Sequence, residues 1–115
     1  MHVIEQRKTQ RFEIQLPVEV LRAGGERFSE NAHTRNISSG GLLFVSKRRM
    51  DVGGPIEYVV SLMTESGTAV HLRCMGKVLR LEKLHPAPDI DDAFAVAATL
   101  ERYEFLRPNG HAAGR

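Results

Sequence analysis

Apolar side chains recur at every second position along much of this chain. In the first example, Ile14, Leu16, Val18 and Val20 alternate with residues that are mostly polar. Such alternation sends one set of side chains into a core and the other into solvent, which is typical of a half-buried antiparallel strand. Pro17 belongs to the outward set, where its missing N–H indicates an edge strand or a bulge.

Five further strands are predicted, separated by turns that are rich in glycine; the first of them, 28–37, is polar and has little support of its own from the apolar pattern. In the longest, the apolar positions change from even to odd at Leu79 and Leu81, which indicates a bulge near Val78. Since no long amphipathic helix is indicated, the pattern predicts an all-β fold, a small six-stranded antiparallel β-barrel. The five strands are predicted at 28–37, 42–46, 56–62, 70–84 and 93–100, and one short C-terminal helical turn at 103–106.

The length of the chain and the polarity of its ends predict one folded domain. With 115 residues it can bury a modest core. Residues 1–11 form a charged arm that is expected to be flexible and to bind the ligand, residues 12–107 form the barrel, and residues 108–115 are expected to be a disordered tail. No apolar stretch has the length of a signal peptide or of a membrane span, so we expect a cytoplasmic protein.

The composition argues against several classes of function. The formal net charge is +2 and both signs occur throughout the chain, whereas a nucleic-acid binder would normally show a basic stripe. The single cysteine, Cys74, excludes an intrachain disulfide, and the sequence has no Cys/His cluster that would indicate a metal site. It also has no Ser/His/Asp set, carboxylate pair or phosphate-binding loop. We therefore expect neither an enzyme with catalytic residues nor a protein with a metal or cofactor.

Two short motifs carry residue types suited to a nucleotide ligand. Arg7-Lys8-Thr9-Gln10-Arg11 places two arginines in the arm, and a guanidinium group pairs bidentately with phosphate oxygens and with the Hoogsteen edge of guanine. Asn36-Ile37-Ser38-Ser39-Gly40-Gly41 has the form N-x-S-x-x-G. Asn36 and Ser38 alternate on an extended segment, so their side chains project from one face toward a base edge or a phosphate. Gly41 lets the backbone approach a ligand closely or turn with positive φ.

Each motif on its own also has a plainer interpretation. Arg7 and Arg11 are equally well explained as solvated charges in a tail, and the second motif has a composition that is common in turns. The order of the two motifs, ahead of a series of strands, favours the functional interpretation.

In this order and setting, the motifs resemble the PilZ domain, the bacterial receptor module for cyclic di-GMP. In that family the arginine motif precedes the first barrel strand, and the second motif ends strand two and leads into strand three. The resemblance extends over about residues 5–105 and includes Leu16-Pro17-Val18 after the arm, Gly76-Lys77-Val78-Leu79-Arg80 in the long strand, and Phe94-Ala95-Val96 near the end.

The resemblance implies a role for each motif residue. Arg7 and Arg11 would clamp a phosphate and a guanine of cyclic di-GMP, Asn36 and Ser38 would read the second guanine, and Gly41 would shape the turn. Many family members have Asp at the position of Asn36, and a carboxylate accepts two guanine N–H donors where a carboxamide accepts with one oxygen. The resemblance therefore implies a lower affinity for a chain with Asn.

Two further residues are implicated by the resemblance alone. Gln6 precedes the first arginine, at a position associated with whether one or two ligand molecules bind. Arg80 lies where some PilZ domains place a large side chain beside the base, and a guanidinium group can stack on a purine. A surface arginine on a strand is the alternative interpretation of Arg80.

The function that the resemblance implies is a cyclic di-GMP receptor or adaptor. It would order its N-terminal arm on ligand binding and signal to a downstream partner protein or to a second copy of itself, as a homodimer. One alternative is a PilZ-fold adaptor that acts through protein contacts and does not bind nucleotide, although its usual mark, the loss of motif residues, is absent. Another is a small barrel that binds single-stranded nucleic acid, which would need surface aromatics on a basic groove. The seven aromatic residues argue against it, because most of them lie at positions that the alternation directs into the core.

Overall fold

The structure is a computed structural model that describes residues 12–84 and 93–106. The predicted arm, residues 1–11, and the predicted tail, residues 108–115, lie outside the described residues. The described part contains seven β-strands and no helix, and hence no helix long and apolar enough to cross a membrane. The strands are β1 (Pro17–Ala23), β2 (Glu26–Ser38), β3 (Gly41–Ser46), β4 (Pro55–Met63), β5 (Ala69–Lys83), β6 (Phe94–Thr99) and β7 (Arg102–Leu106).

Six of these strands close into an antiparallel ring, which confirms the predicted six-stranded barrel. The order is β4-β1-β2-β3-β6-β5, and β4 pairs with β5 to complete the ring. Closure depends on the 15-residue strand β5, whose first half pairs with β4 and whose second half pairs with β6. A long strand shared between two neighbours lets a small sheet curl on itself without leaving its backbone groups unpaired.

The predicted helical turn at residues 103–106 is wrong, because this segment is strand β7. It pairs antiparallel with the first half of β5, in register from His71↔Leu106 to Met75↔Arg102. Strand β5 extends beyond the end of β6, which leaves the backbone groups of its first half available on that side. The chain that leaves β6 continues along β5 and pairs with these groups.

Pro17 begins a central strand, so the prediction of an edge strand there is wrong. Strand β1 pairs with β2 on one side and with β4 on the other, and its irregularity lies between Val20 and Arg22. Proline is tolerated because it is the first residue of the strand, where a ladder donor is least needed. Residue Ile14, which also fits the alternation, lies before the strand and is exposed.

The core fills the inside of the ring with alternate side chains from the strands. Its largest member is Tyr58, which is fully buried and donates a hydrogen bond of 3.0 Å from its hydroxyl to the carbonyl oxygen of Thr99. Burial raises the pKa of Tyr58 above its ordinary value. The predicted core residue Cys74 is confirmed as buried. The other buried apolar residues are Val18, Val20, Leu42, Phe44, Met50, Ile56, Val60, Val78, Phe94, Val96 and Ala98.

Four of the seven aromatic residues contribute to the core, as expected, because Phe28 packs against it and three others are buried. Phe44, Tyr58 and Phe94 are buried, whereas Phe12, Tyr103 and Phe105 are exposed. The exposed rings lie at the two ends of the described chain, outside the six-stranded ring.

Candidate ligand-binding groove

The second motif forms the hairpin between β2 and β3. Strand β2 ends at Ser38 and β3 begins at Gly41. The Ser38 hydroxyl accepts a hydrogen bond of 3.2 Å from the Gly40 N–H and lies 3.5 Å from the Gly41 carbonyl oxygen. The Leu100 N–H donates to the Gly40 carbonyl oxygen at 2.9 Å, which ties the hairpin to the end of β6. The hairpin is therefore held in place by its own side chain and by a neighbouring strand.

Gly41 is required by the close approach of β6. A Cβ atom at this position would collide with the carbonyl oxygen of Ala98 and would lie 3.1 Å from the Cα atom of Thr99. Its φ is not positive, unlike the φ of +64° at Gly24 in the β1–β2 turn, so the alternative of a turn with positive φ is excluded and the close approach that the structure shows is to β6. The barrel alone accounts for glycine here, because a Cβ atom would fit between β3 and β6 only if the backbone shifted.

Asn36 and Ser38 line the same groove, as their spacing on β2 predicts. A register shift between Thr34 and Asn36 leaves Asn36 opposite Leu43 of β3, and Ser38 is opposite Gly41. Both side chains are half-buried. The plainer interpretation of the motif as a turn is thus correct for Ser38 and Gly41, yet the same segment also forms one wall of a cavity.

The groove has a volume of about 270 Å³ and lies where the β2–β3 hairpin meets the end of β6 and the middle of β5. Its opposite wall is the predicted bulge in β5, which is confirmed by a register shift between Val78 and Arg80. The residues that line the groove are Asn36, Ser38, Gly40, Gly41, Leu42, Leu43, Leu79, Arg80, Ala97, Ala98 and Thr99. The structure thus brings Arg80, predicted only from a resemblance, to the same cavity as the motif.

The bulge exposes two adjacent side chains, and one of them was missed by the sequence analysis. Leu81 packs against the core, as its position in the apolar pattern predicts, but Leu79 is 62% exposed. A bulge adds one residue to a strand, so both Leu79 and Arg80 face outward where strict alternation would bury one. The signal that could have identified this apolar wall is a leucine directly after Val78, where the apolar phase changes.

The charge of the groove suits an anionic ligand. Of the described residues that line it, Arg80 is the one charged side chain, and none is a carboxylate. Asn36 and Ser38 add neutral hydrogen-bonding groups, and Leu79 adds an apolar surface. A phosphate group near this surface would meet a guanidinium partner without repulsion from an adjacent acid.

The predicted site residues Gln6, Arg7 and Arg11 lie outside the described residues. Phe12, the first described residue, is bridged to Ile37 by two backbone hydrogen bonds, from Phe12 N to Ile37 O at 2.9 Å and from Ile37 N to Phe12 O at 3.0 Å. Ile37 stands between Asn36 and Ser38 in the chain. The arm therefore joins the barrel at the motif, and a fully extended chain would let the Cα atom of Arg7 reach at most about 18 Å from that of Phe12.

Cavity size alone does not identify the site. Cavities of about 330 Å³ and 430 Å³ also occur, and the first is lined by side chains of both signs, including Arg22, Glu57 and Lys77. There the buried Glu57 carboxylate is paired with Arg73, and this hydrogen bond raises the pKa of Arg73. The charge of Glu57 is thus explained by its pairing with Arg73 and Arg22. Among the described residues, no group of three or more His, Cys, Asp or Glu side chains could hold a metal ion.

Comparison with known proteins gives a family and a fold. The family model of the PilZ domain matches residues 5–97, which include both motifs. Among solved structures, the chain is similar to the Bacillus subtilis inhibitor of motility MotI/DgrA, with a TM-score of 0.66 and 16% identity over 88% of this chain. The match covers 45% of the MotI/DgrA chain, so this chain spans less than half the length of that protein. No curated protein sequence gave a significant match.

Proposed function

Because the chain belongs to the PilZ domain family, we propose that it is a bacterial cytoplasmic receptor that binds cyclic di-GMP in the groove between the β2–β3 hairpin and the β5 bulge. PilZ domains are receptor and adaptor modules, so we further propose that ligand binding is passed on to a partner protein. The proposed ligand contacts come from Arg7, Arg11, Asn36, Ser38 and Arg80.

The proposal rests on one observation: independent parts of the chain meet at one groove. The hairpin contributes Asn36 and Ser38, the bulge contributes Arg80, and the arm joins the barrel at the bridge between Phe12 and Ile37. The arm holds Arg7, Lys8 and Arg11, so its three cations lie within a few residues of a groove that already lacks carboxylates.

The chemistry of the groove suits a guanine and a phosphate. The Asn36 carboxamide oxygen can accept from a guanine N–H, and the Ser38 hydroxyl can reach a base edge or a phosphate. The exposed Arg80 guanidinium can stack on a purine, while Leu79 offers an apolar contact to the same ring. Stacking and edge contacts from opposite walls would hold one base in a defined orientation.

The groove is too small for the whole dinucleotide. Its volume of about 270 Å³ lies below the range of about 300–1,000 Å³ that is common for small-molecule sites. We propose that the arm supplies the missing wall, with Arg7 and Arg11 as bidentate partners for a phosphate and the second guanine. Gln6 would then lie beside the first arginine contact. Closure of the arm over the ligand would change the surface that a partner protein meets.

A second candidate function is a PilZ-fold adaptor that does not bind nucleotide. It is favoured by the finding that the barrel already explains Ser38, through its turn hydrogen bonds, and Gly41, through its contact with β6. These two residues would be retained with or without a ligand. The substitutions that can distinguish the two functions are therefore those of Arg7 and Arg11, which lie in the arm.

Isothermal titration calorimetry with cyclic di-GMP tests the proposal. We expect binding by the unmodified chain and a strong loss of affinity in Arg7→Ala and in Arg11→Ala. Arg27→Ala, at an exposed position of β2 that does not line the groove, is the matched control and is expected to bind normally.

Absence of heat from the unmodified chain would favour the nucleotide-independent adaptor. Binding that survives both arm substitutions would contradict the assigned site. Competition by GTP and cyclic di-AMP would show whether guanine is recognised.

A further inference from the structure

Strand β7 has an open edge in the described part of the chain. It pairs with β5 on one side, and the described residues place no strand on the other side. Four of its five residues are exposed. An antiparallel strand directs alternate N–H and C=O groups away from its neighbour, so an open edge offers these groups to another strand.

One face of β7 carries two exposed aromatic rings. Tyr103 lies opposite Cys74 and Phe105 lies opposite Leu72, and directly opposed residues project to the same side of a sheet. The two rings therefore extend the face that, on β5, turns toward the core. They are 56% and 66% exposed and contact each other edge to face, with centroids 5.9 Å apart. The barrel leaves this apolar face uncovered among the described residues.

The other face of β7 carries one charge of each sign. Glu104 accepts a hydrogen bond of 3.1 Å from Arg73 of β5, and the Arg102 guanidinium contacts the Met75 sulfur at 3.7 Å. Both charged side chains are exposed. Because a single residue, Tyr103, separates them, an identical antiparallel strand centred on Tyr103 would place each charge opposite one of the other sign.

We propose that β7 pairs antiparallel with β7 of a second copy of this chain, about a two-fold axis at Tyr103. In this register Tyr103 lies opposite Tyr103 of the second copy. Arg102 then lies opposite Glu104 of the second copy, and by symmetry Glu104 lies opposite the second Arg102. The interface is isologous and closes as a dimer, because each copy has used its open edge.

Charge selects this register over its neighbours. Moving the axis by one residue centres it on Arg102 or on Glu104. Either shift places like charges directly opposite each other at the axis, which is unfavourable in a cross-strand pair. The register at Tyr103 forms two pairs of opposite charge and places four aromatic rings on one face. It pairs residues 102–104 of the open edge with the same residues of the second copy. The self-complementary charges give a second copy a better fit than a strand of unrelated sequence.

Sedimentation velocity of the full-length, ligand-free chain over a concentration series tests the proposal. We expect a concentration-dependent dimer. With Arg102→Glu in both copies, each of the two cross-strand pairs consists of two glutamates, and with Glu104→Arg each consists of two arginines. Each variant is therefore expected to raise the dissociation constant of the dimer by about tenfold or more. An equal mixture of the two variants restores both pairs of opposite charge and is expected to associate again as a heterodimer.

The control Arg27→Glu changes the net charge as Arg102→Glu does, but lies on β2, and is expected to dimerise normally. Circular dichroism of each variant establishes that it is folded, and Arg102→Lys and Glu104→Asp, which keep both charges, are expected to retain the dimer. A monomeric unmodified chain would overturn the proposal. If the β7 amides of that monomer were protected from hydrogen exchange, another segment of the same chain would be covering the edge of β7, and the proposal would be overturned as well. A dimer that neither substitution weakens, or a mixture that stays monomeric, would also overturn it. None of these outcomes depends on cyclic di-GMP, so the test is independent of the proposed ligand.

Discussion

Phe12 and Ile37 exchange two backbone hydrogen bonds, of 2.9 and 3.0 Å, and this bridge joins the arm to the groove. Phe12→Pro removes the donor of one bond, and we expect it to weaken cyclic di-GMP binding by about fivefold, which corresponds to one net hydrogen bond of about 1 kcal/mol. Phe12→Ala keeps both bonds and removes only a 53%-exposed ring, so it is the matched control. Equal affinities of the two variants in calorimetry would show that the bridge does not position the arm.

The contact of Gly41 with β6 predicts a cost in stability. Gly41→Ala places a Cβ atom against the Ala98 carbonyl oxygen, and we expect a loss of about 1–3 kcal/mol in the free energy of unfolding, typical of overpacking. Gly25→Ala meets no atom within 4 Å and is expected to change stability by less than about 1 kcal/mol. Urea denaturation of both variants makes the comparison. A Gly41 variant as stable as the Gly25 variant would contradict the packing argument.

Replacing the carboxamide of Asn36 by a carboxylate is expected to tighten ligand binding. Asn36→Asp can accept two guanine N–H donors, and a charge-assisted hydrogen bond is worth about 1 kcal/mol more than a neutral one, or about fivefold in affinity. Asn31→Asp introduces the same charge at an exposed position of β2 that does not line the groove. We expect calorimetry to show tighter binding for the first variant alone. Weaker binding by Asn36→Asp would mean that this side chain faces a phosphate instead of a base.

The buried thiol of Cys74 predicts how stability depends on pH. Burial raises its pKa from an ordinary value of 9.0 to about 11. The thiol stays protonated in the folded state while the unfolded state ionises. Its contribution is therefore complete below about pH 9 and is lost as the pH rises to about 11, up to a total of about 3 kcal/mol. Burial of Tyr58 acts in the same direction at higher pH.

Urea denaturation across this alkaline range measures the effect. In Cys74→Ala the free energy of unfolding is expected to fall less steeply between about pH 9 and pH 11, whatever the variant costs in packing. An identical slope in both proteins would assign the alkaline loss to other groups.

Much of the fold could be predicted from the sequence because the barrel strands obey a local rule. The alternation of apolar residues indicates five of the six strands of the ring, the turns on either side of the polar segment indicate β2, and the change of phase indicates the bulge near Val78. The alternation of Arg102 and Glu104 with Tyr103 and Phe105 also fits strand β7, but five residues are too few to exclude a helical turn. Five residues after a turn do not reveal that β5 continues past β6 and offers a partner, since that depends on the relative lengths of distant strands.

The site shows the same division between local and non-local information. The spacing of Asn36 and Ser38 predicts that they share a face, and both do line one groove. The reason for Gly41 lies in its contact with Ala98, which is remote in sequence, whereas the local sequence offered only a close approach to a ligand or a positive φ. Leu79 belongs to the apolar phase that the sequence shows after Val78, yet it is exposed, because the bulge leaves both Leu79 and Arg80 facing outward.

The β5 bulge also separates recognition from folding. Leu79 and Arg80 both face solvent, while their neighbours Val78 and Leu81 support the core. Surface substitutions away from caps, networks and strained backbone usually change stability by less than about 0.5 kcal/mol. This wall of the groove can therefore vary widely in size and charge between related chains without endangering the barrel. If the groove binds a nucleotide, its preference among bases can evolve at these two positions before any strand is remodelled.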